Sequence, residues 1–464
     1  MRIVIVGAGK VGTALVEQLV AENHDVTVIE KQTEPLNNVV NKYDVMGVCG
    51  NGASFDTLDG AGVAGADLLI ATASSDEINI LVCLLAKQLG IHHTIARIRN
   101  PEYEKPLRMM RETLGLSMII NPEKSTAHEI ARVLRFPAAL KVETFSRGTL
   151  ELVAYRIPEK SRLDGVCLAD LYKSLKVKVL ICTVERGRGI FIPDGEFVLR
   201  AGDHIHLTAS PKEIESFFRQ LGVFKAKAGS VILAGGGRIS YYLAVELLSM
   251  GMQVKIIEKD EKRCQELSEL LPRALIIAGD ATDSELLSEE SLNQADAFVA
   301  LTGLDEANIL LSVYALRESH FKVIAKINRQ TFIDLATFGE MVDSVVSPRV
   351  VTAELIVQYV RGMQNSLDSK VQTLHRLVNG RVEALEFAVP KSTPFLGVPI
   401  KDLPLRPNLL IAGITRSDDK VIIPSGSDCF RAGDNVVIVT HSITLNDFGD
   451  ILRQSGTSRG GATQ

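Results

Sequence analysis

Gly7, Gly9 and Gly12 make a complete G-x-G-x-x-G, and Glu30 closes the apolar run that follows it. Residues of these types at this spacing suit a phosphate. Gly7 permits a tight turn, Gly9 lets a pyrophosphate approach bare backbone, and Gly12 lets a helix pack closely on a sheet. A helix starting near Lys10 would aim free N–H groups and its positive dipole end at the phosphates. Glu30 stands where a carboxylate can accept hydrogen bonds from an adenosine ribose. Its charge would repel a 2′-phosphate, which favours NAD over NADP.

The surrounding pattern supplies the elements this chemistry needs. Ile3 to Val6 is a short apolar run ended by Gly7, as in a buried parallel strand. Ala14, Leu15, Leu19 and Val20 follow at helical spacing. Strands are predicted at Arg2–Val6, Val26–Glu30, Val45–Cys49, Asp67–Thr72, His93–Ile98 and Met118–Ile120, with helices at Asp76–Leu89 and Pro101–Leu114. This alternation predicts an α/β, doubly wound parallel sheet whose ligand lies beyond the carboxyl ends of the strands. Those ends are Gly7–Gly12, Glu30, Gly50–Ala53 (with Asn51), Ala73–Asp76 and Ile98–Arg99.

Ser74 or Ser75 reads as a helix N-cap, with Asp76 and Glu77 as first-turn acids. Ala73 and Ser74 still suit contact with pyrophosphate or ribose. Arg97 and Arg99 alternate on the fifth strand. Either could aim a cation at a phosphate or be an ordinary solvated or salt-bridged arginine. A further helix, Asn121–Leu134, is expected to pack on a neighbouring domain or subunit.

From Lys141 the pattern changes. Thr149–Ile157, Lys178–Val184, Ile190–Ile192 and His204–Thr208 read as strands, Leu168–Leu171 as a short helix and Pro211–Leu221 as a closing helix. This is a small β-rich α+β module. His204 and His206 share one face of a strand without further ligands at a telling spacing, so they read as plain strand histidines.

The chain then repeats. Val231–Ser240 matches Ile3–Gly12, and Glu258 matches Glu30. Gly279-Asp280 matches Gly50-Asn51, and Asp305-Glu306-Ala307-Asn308 matches Asp76-Glu77-Ile78-Asn79. Arg431-Ala432-Gly433-Asp434 matches Arg200-Ala201-Gly202-Asp203. In the second glycine motif Ser240 replaces the third glycine, a loss of close packing expected to widen the turn. The expected organisation is a tandem duplication. Rossmann-like domains lie at 1–123 and 229–350, small β-rich modules at 140–224 and 370–455, and a disordered tail at 456–464. The junction is Phe224–Gly229.

Composition limits the possibilities. Net charge is −5 and there is no Trp, which argues against a nucleic-acid surface. Apolar runs such as Ile80–Ala86 are far too short to span a membrane, and Arg2 already enters a strand, leaving no room for a signal peptide. The six cysteines (49, 83, 167, 182, 264 and 429) show no C-x-x-C and read as reduced core residues of a cytosolic protein.

The duplicated glycine-motif domain, each copy followed by a β module with the Arg-Ala-Gly-Asp turn, resembles the TrkA family. These are cytosolic regulatory subunits of Trk-type potassium uptake systems, built of regulator-of-potassium-conductance domains. The resemblance implies binding of NAD(H) or ATP/ADP and assembly into a ring, with a homo-tetramer expected. The ring would lie at the inner face of the plasma membrane, beneath a membrane-embedded translocating subunit. It places Gly7, Ala8, Gly9, Lys10, Val11, Glu30, Ala73, Ser74 and Ile98 in a first nucleotide site. Gly235, Gly236, Gly237, Arg238, Ile239, Glu258, Thr302 and Ile327 fall in a second. Asn51 and Asp280, at the third strand ends, join these sets. The expected role is regulatory and non-catalytic, with no metal. An NAD-dependent oxidoreductase is the rival, and would need a proton-handling group that no His, Lys or Tyr constellation provides. A soluble nucleotide sensor with another partner is the third reading.

Overall fold

The computed structural model describes residues 1–453 except 104–105, 108, 110–113, 136–138, 147–148, 188, 223–228, 291, 319–320, 339–340, 366–370, 379–380, 417, 419, 442–444 and 446. Most of the junction at Phe224–Gly229, and the tail at 456–464, therefore lie outside the described residues.

Short apolar runs become strands, buried on both faces at the centre of the sheet and largely exposed at its Met46–Cys49 edge. The first six are β1 (Arg2–Val6), β2 (Asp25–Glu30), β3 (Met46–Cys49), β4 (Leu68–Ala71), β5 (His93–Arg97) and β6 (Met118–Ile120). They form one parallel sheet in the order β3-β2-β1-β4-β5-β6. The order reverses between β1 and β4, which puts the switch point beside Gly7. The sheet is crossed by α1 (Lys10–Ala21), α2 (Thr33–Tyr43), α3 (Phe55–Gly60) and α4 (Asp76–Gln88), and α5 (Pro122–Arg135) follows it. Strand bounds match the sequence reading to within a residue. Of the helix expected at Pro101–Leu114, Pro101–Tyr103 form a 3-10 turn and much of the remainder lies outside the described residues.

The second half repeats the design. β12 (Ser230–Ala234), β13 (Gln253–Glu258), β14 (Leu275–Ala278), β15 (Ala297–Ala300), β16 (Lys322–Lys326) and β17 (Ser344–Val346) take the order β14-β13-β12-β15-β16-β17. Helix α8 (Arg238–Ser249) follows the second glycine turn, and α9 (Glu261–Leu270) and α11 (Asp305–Glu318) follow β13 and β15.

The β modules are five-stranded antiparallel sheets. The first contains β7 (Lys141–Phe145), β8 (Leu150–Arg156), β9 (Leu180–Arg186), β10 (Gly189–Phe191) and β11 (His204–Ala209). The second contains β18 (Val371–Leu377), β19 (Val382–Ala388), β20 (Leu409–Thr415), β21 (Val421–Ile422) and β22 (Asn435–His441). β7 was not foreseen, because its alternation is carried by only five residues. The closing helix α7 (Pro211–Gln220) is capped by Ser210, whose hydroxyl accepts from the Glu213 N–H.

Like packs with like. The parallel sheets form one compact unit (Met1–Ala131 and Ala228–Val357), and the antiparallel sheets form another (Arg132–Lys227 and Gln358–Gln464). Within the second unit one apolar cluster draws on both modules, with Phe145, Leu150 and Leu152 meeting Leu377, Val437 and Val439. Within the first, α5 reaches the other half, where His128 Nδ1 lies 2.9 Å from Glu246 Oε1 on α8. The neighbour expected for this helix is thus the second Rossmann-like half. Cys83, Cys182 and Cys264 are buried as expected, but Cys49 is exposed and Cys167 and Cys429 are partly exposed. No described helix is long and apolar enough to cross a membrane.

Candidate nucleotide sites at two glycine turns

The glycines differ in what they do. Gly7 adopts φ +107°, and a Cβ there would stand 3.0 Å from the Thr72 and Ala73 backbone. At Gly12 a Cβ would fall 1.9 Å from the Gly7 carbonyl oxygen, so helix and turn touch through bare backbone. Gly9 is the N-cap of α1, with no side chain capping the helix and nothing within 4 Å of a built Cβ. The first-turn amides of α1 therefore have no side-chain cap at a positive helix end, beside the open space at Gly9. Helix α4, by contrast, is capped by Ser75, which accepts from the Ile78 N–H at 3.2 Å.

Glu30 is held in place by backbone. Its Oε2 accepts from the Ala8 N–H at 2.7 Å and its Oε1 from the Gln32 N–H at 3.1 Å. Glu258 repeats this with the N–H groups of Gly236 (2.6 Å) and Asp260 (2.9 Å). Each acid thus fixes its glycine turn, and lone pairs remain on the carboxylate for ribose hydroxyls.

The second turn does not widen. Gly235 has φ +103°, and Gly237 caps α8 at φ −67°, ψ −175°, against −74°, −172° at Gly9. Ser240 is fully buried and its hydroxyl donates to the Gly235 carbonyl, replacing close backbone packing with a hydrogen bond. Sequence reasoning missed Arg263, whose Nε donates to the Gly236 carbonyl at 2.8 Å.

At the switch point the Thr72 hydroxyl lies 3.1 Å from the Val6 carbonyl and 3.2 Å from that of Gly7. Asp76 is not spent on capping its own helix. Its Oδ2 accepts from the backbone N–H of Arg99 (2.8 Å) and Asn100 (2.7 Å), tying the start of α4 to the exit of β5. Asp305 does the same with Asn328 and Arg329, each at 3.0 Å. Burial works against the charge of Asp305, but these donors outweigh it and hold its carboxyl below the usual value. Asn79 and Asn308, matched by the repeat but given no role from sequence, complete the corner. Asn79 Nδ2 donates to the Arg97 carbonyl and Asn308 Nδ2 to that of Lys326, both at 2.8 Å.

The β5 cations are engaged nearby. Arg97 Nη1 donates to the Ala73 carbonyl at 3.3 Å, and Arg99 Nη2 to the Ser74 carbonyl at 2.6 Å. In the second half Lys326 donates to the Thr302 carbonyl, and the Thr302 hydroxyl lies 2.7 Å from Asn308 Oδ1. Ile98 and Ile327 are buried, with their N–H groups bonded to Ile120 and Val346. Their side chains therefore belong to the core. Asn51 Oδ1 accepts from the Ala53 N–H, and Asp280 Oδ1 from the N–H and hydroxyl of Thr282, so both shape the loops after β3 and β14.

In the first β module, His206 Nδ1 lies 2.9 Å from the Thr183 hydroxyl, and burial pushes its pKa down to about 4. Among the described residues no group of three His, Cys, Asp or Glu could hold a metal ion.

Two Rossmann-like sheets, each with a glycine turn and a backbone-pinned acid and each followed in the chain by an antiparallel module, define a tandem dinucleotide-fold protein. The TrkA-N domain model matches residues 3–122 and 231–348, and the TrkA-C domain model matches 152–222 and 384–453. The Trk system potassium uptake protein TrkA homolog of Archaeoglobus fulgidus is 35% identical over 98% of this chain and 100% of its own length. The TrkA protein of Vibrio alginolyticus is 32% identical over 94% of this chain and 95% of its own. The chain belongs to the TrkA family. In fold it is similar to the GsuK channel (TM-score 0.63, 20% identity, 95% of this chain and 77% of that one). The GsuK channel bound to NAD compares at TM-score 0.62 and 19% identity, with the same coverage.

Proposed function

We propose that this chain is a nucleotide-binding regulatory subunit of a Trk-type potassium uptake system. NAD(H) would bind at both glycine turns, with ATP or ADP as competitors for the same cradle. The observation that carries this is the pair of helices, α1 and α8, that start on glycine without a side-chain cap, each beside an acid at the end of the next strand. Gly7–Val11, Glu30, Asn51, Ala73, Ser74 and the backbone of Ile98 would line the first site. Gly235–Ile239, Glu258, Asp280, Thr302 and the backbone of Ile327 would line the second. Four domains, at 1–123, 140–224, 229–350 and 370–455, would divide the labour between nucleotide binding and assembly.

The family supplies the partner in this reading. Relatives similar over nearly their whole length carry the name Trk system potassium uptake protein. The chain would sit as a homo-tetrameric ring against a membrane-embedded translocating subunit, on the cytoplasmic face. A ligand acts there only through unequal affinity for two packings of the ring. The role is read as regulatory rather than catalytic, because Asp76, Asn79, Arg97 and Arg99 at the first switch point are engaged in holding its backbone.

The test has two arms. The chain should co-purify from detergent-solubilised membranes with a polytopic subunit. It should also leave NADH unoxidised in the presence of assorted carbonyl substrates. Steady substrate-dependent loss of NADH would overturn the regulatory reading.

A further inference from the structure

The two glycine turns share one unit, and a polar contact runs between them. Asn121, just beyond β6, donates from Nδ2 to the Tyr242 hydroxyl at 3.0 Å and lies 3.5 Å from the Arg99 carbonyl. Its Oδ1 caps α5 by accepting from the Lys124 N–H at 2.9 Å. Tyr242 is buried one turn into α8, the helix that begins at Arg238 on the second glycine turn. Arg99 is the residue that Asp76 and Ser74 fix at the first switch point. Asn121 therefore touches the exit of the first site and the phosphate-facing helix of the second.

The repeat makes this contact one-sided. Ala14 stands on α1 where Tyr242 stands on α8, and Ser347 stands where Asn121 does. Alanine offers no hydroxyl. The buried Ser347 hydroxyl has no hydrogen-bond partner among the described residues. The halves also feel each other's charge. Half-buried Arg97 is within electrostatic reach of Arg238, and half-buried Lys326 of Lys10. An anion at either turn changes the field at the other.

We propose that the Asn121–Tyr242 contact couples the two glycine turns, so that a nucleotide filling one alters the affinity of the other. The proposal rests on both turns being nucleotide sites. A ligand settling against Ala73 and Ser74 displaces the Arg99 corner, and Asn121 passes that displacement to the start of α8. Coupling between binding sites is reciprocal, so a single strut serves both directions.

The test uses the full chain and NADH. Gly9→Val and Gly237→Val each close one turn and give the single-site affinity of the other. The native isotherm should depart from the sum of these two by about twofold to tenfold, the worth of one hydrogen bond. Tyr242→Phe, which removes only the hydroxyl, should return the isotherm to the sum with single-site affinities unchanged. Asn121→Ser, the residue of the other half, should do the same. A native isotherm equal to the sum, or a departure that persists in both variants, overturns the coupling while leaving the nucleotide sites intact. One NADH per chain also overturns the coupling, together with one of the two sites. Absence of any binding sinks the nucleotide reading itself.

Discussion

His375 Nδ1 lies 2.9 Å from Glu143 Oε2, joining the two antiparallel modules through side chains that are each only 10% exposed. His375 Nε2 is 3.2 Å from the Thr144 carbonyl, so both ring nitrogens face acceptors, an arrangement that favours the protonated ring. Lys141 Nζ lies 2.5 Å from the other oxygen of Glu143. Burial alone would lower the pKa of His375, but the charge and hydrogen bond of Glu143 outweigh it and raise it. Burial likewise opposes the charge on Glu143, yet His375 and Lys141 hold its carboxyl well below the usual range.

The signs fix a pH window. A histidine raised above its unfolded value of 6.5 contributes fully below that pH and loses its contribution as pH rises through the folded value. A carboxyl lowered below 4.5 contributes above that pH and loses its contribution as pH falls. The pair is worth most between these values. Breaking a buried pair from one side costs about 3–5 kcal/mol. His375→Gln should therefore lower the melting temperature more at about pH 6 than at about pH 9. Parallel native and variant curves across that range would contradict the assignment.

Gly9 and Gly12 should separate binding from folding. Nothing lies within 4 Å of a Cβ at Gly9, so Gly9→Val should melt like the native chain yet lose the first nucleotide. At Gly12 a Cβ meets the Gly7 carbonyl oxygen at 1.9 Å, so Gly12→Ala should destabilise the first parallel domain by about 1–3 kcal/mol. Urea unfolding and calorimetry on both variants check this, and equal stability losses would contradict it.

Ser240→Ala tests how the second turn survives without its third glycine. It removes the hydroxyl that donates to the Gly235 carbonyl in a fully buried setting. The loss should be about 1–2 kcal/mol in chemical denaturation, with weaker binding at the second turn. An unchanged midpoint would show that the hydroxyl is dispensable.

The parts legible in the sequence were local. Arg2 to Glu30 set out a strand, turn, helix and strand within thirty residues, and the repeat of this pattern at Val231 marked the second copy. The helix-start reading of Ser75 and Asp76 holds, but it told only part of what Asp76 does, and of what its counterpart Asp305 does. Their actual partners, the amides of Arg99 and Asn328, lie one whole helix and strand away. Asn121–Tyr242 and Glu143–His375 were invisible for the same reason. Each joins halves of the duplication, and no periodicity records which copy a side chain will meet.

Those long-range acids can be tested directly. Asp305→Ala leaves the Asn328 and Arg329 amides without their charged acceptor and should cost about 1.5–3 kcal/mol. Because its carboxyl lies below the usual 3.8, its contribution should vanish as pH falls below that value. A variant as stable as the native chain near neutral pH would contradict the role.

The most direct test is the number of NADH molecules held by one native chain, read by calorimetry beside the Gly9→Val, Gly237→Val double variant. Two per native chain and none in the double variant is the expected result. Equal uptake by both proteins would mean that the open helix ends at the two glycine turns are not where the nucleotide sits.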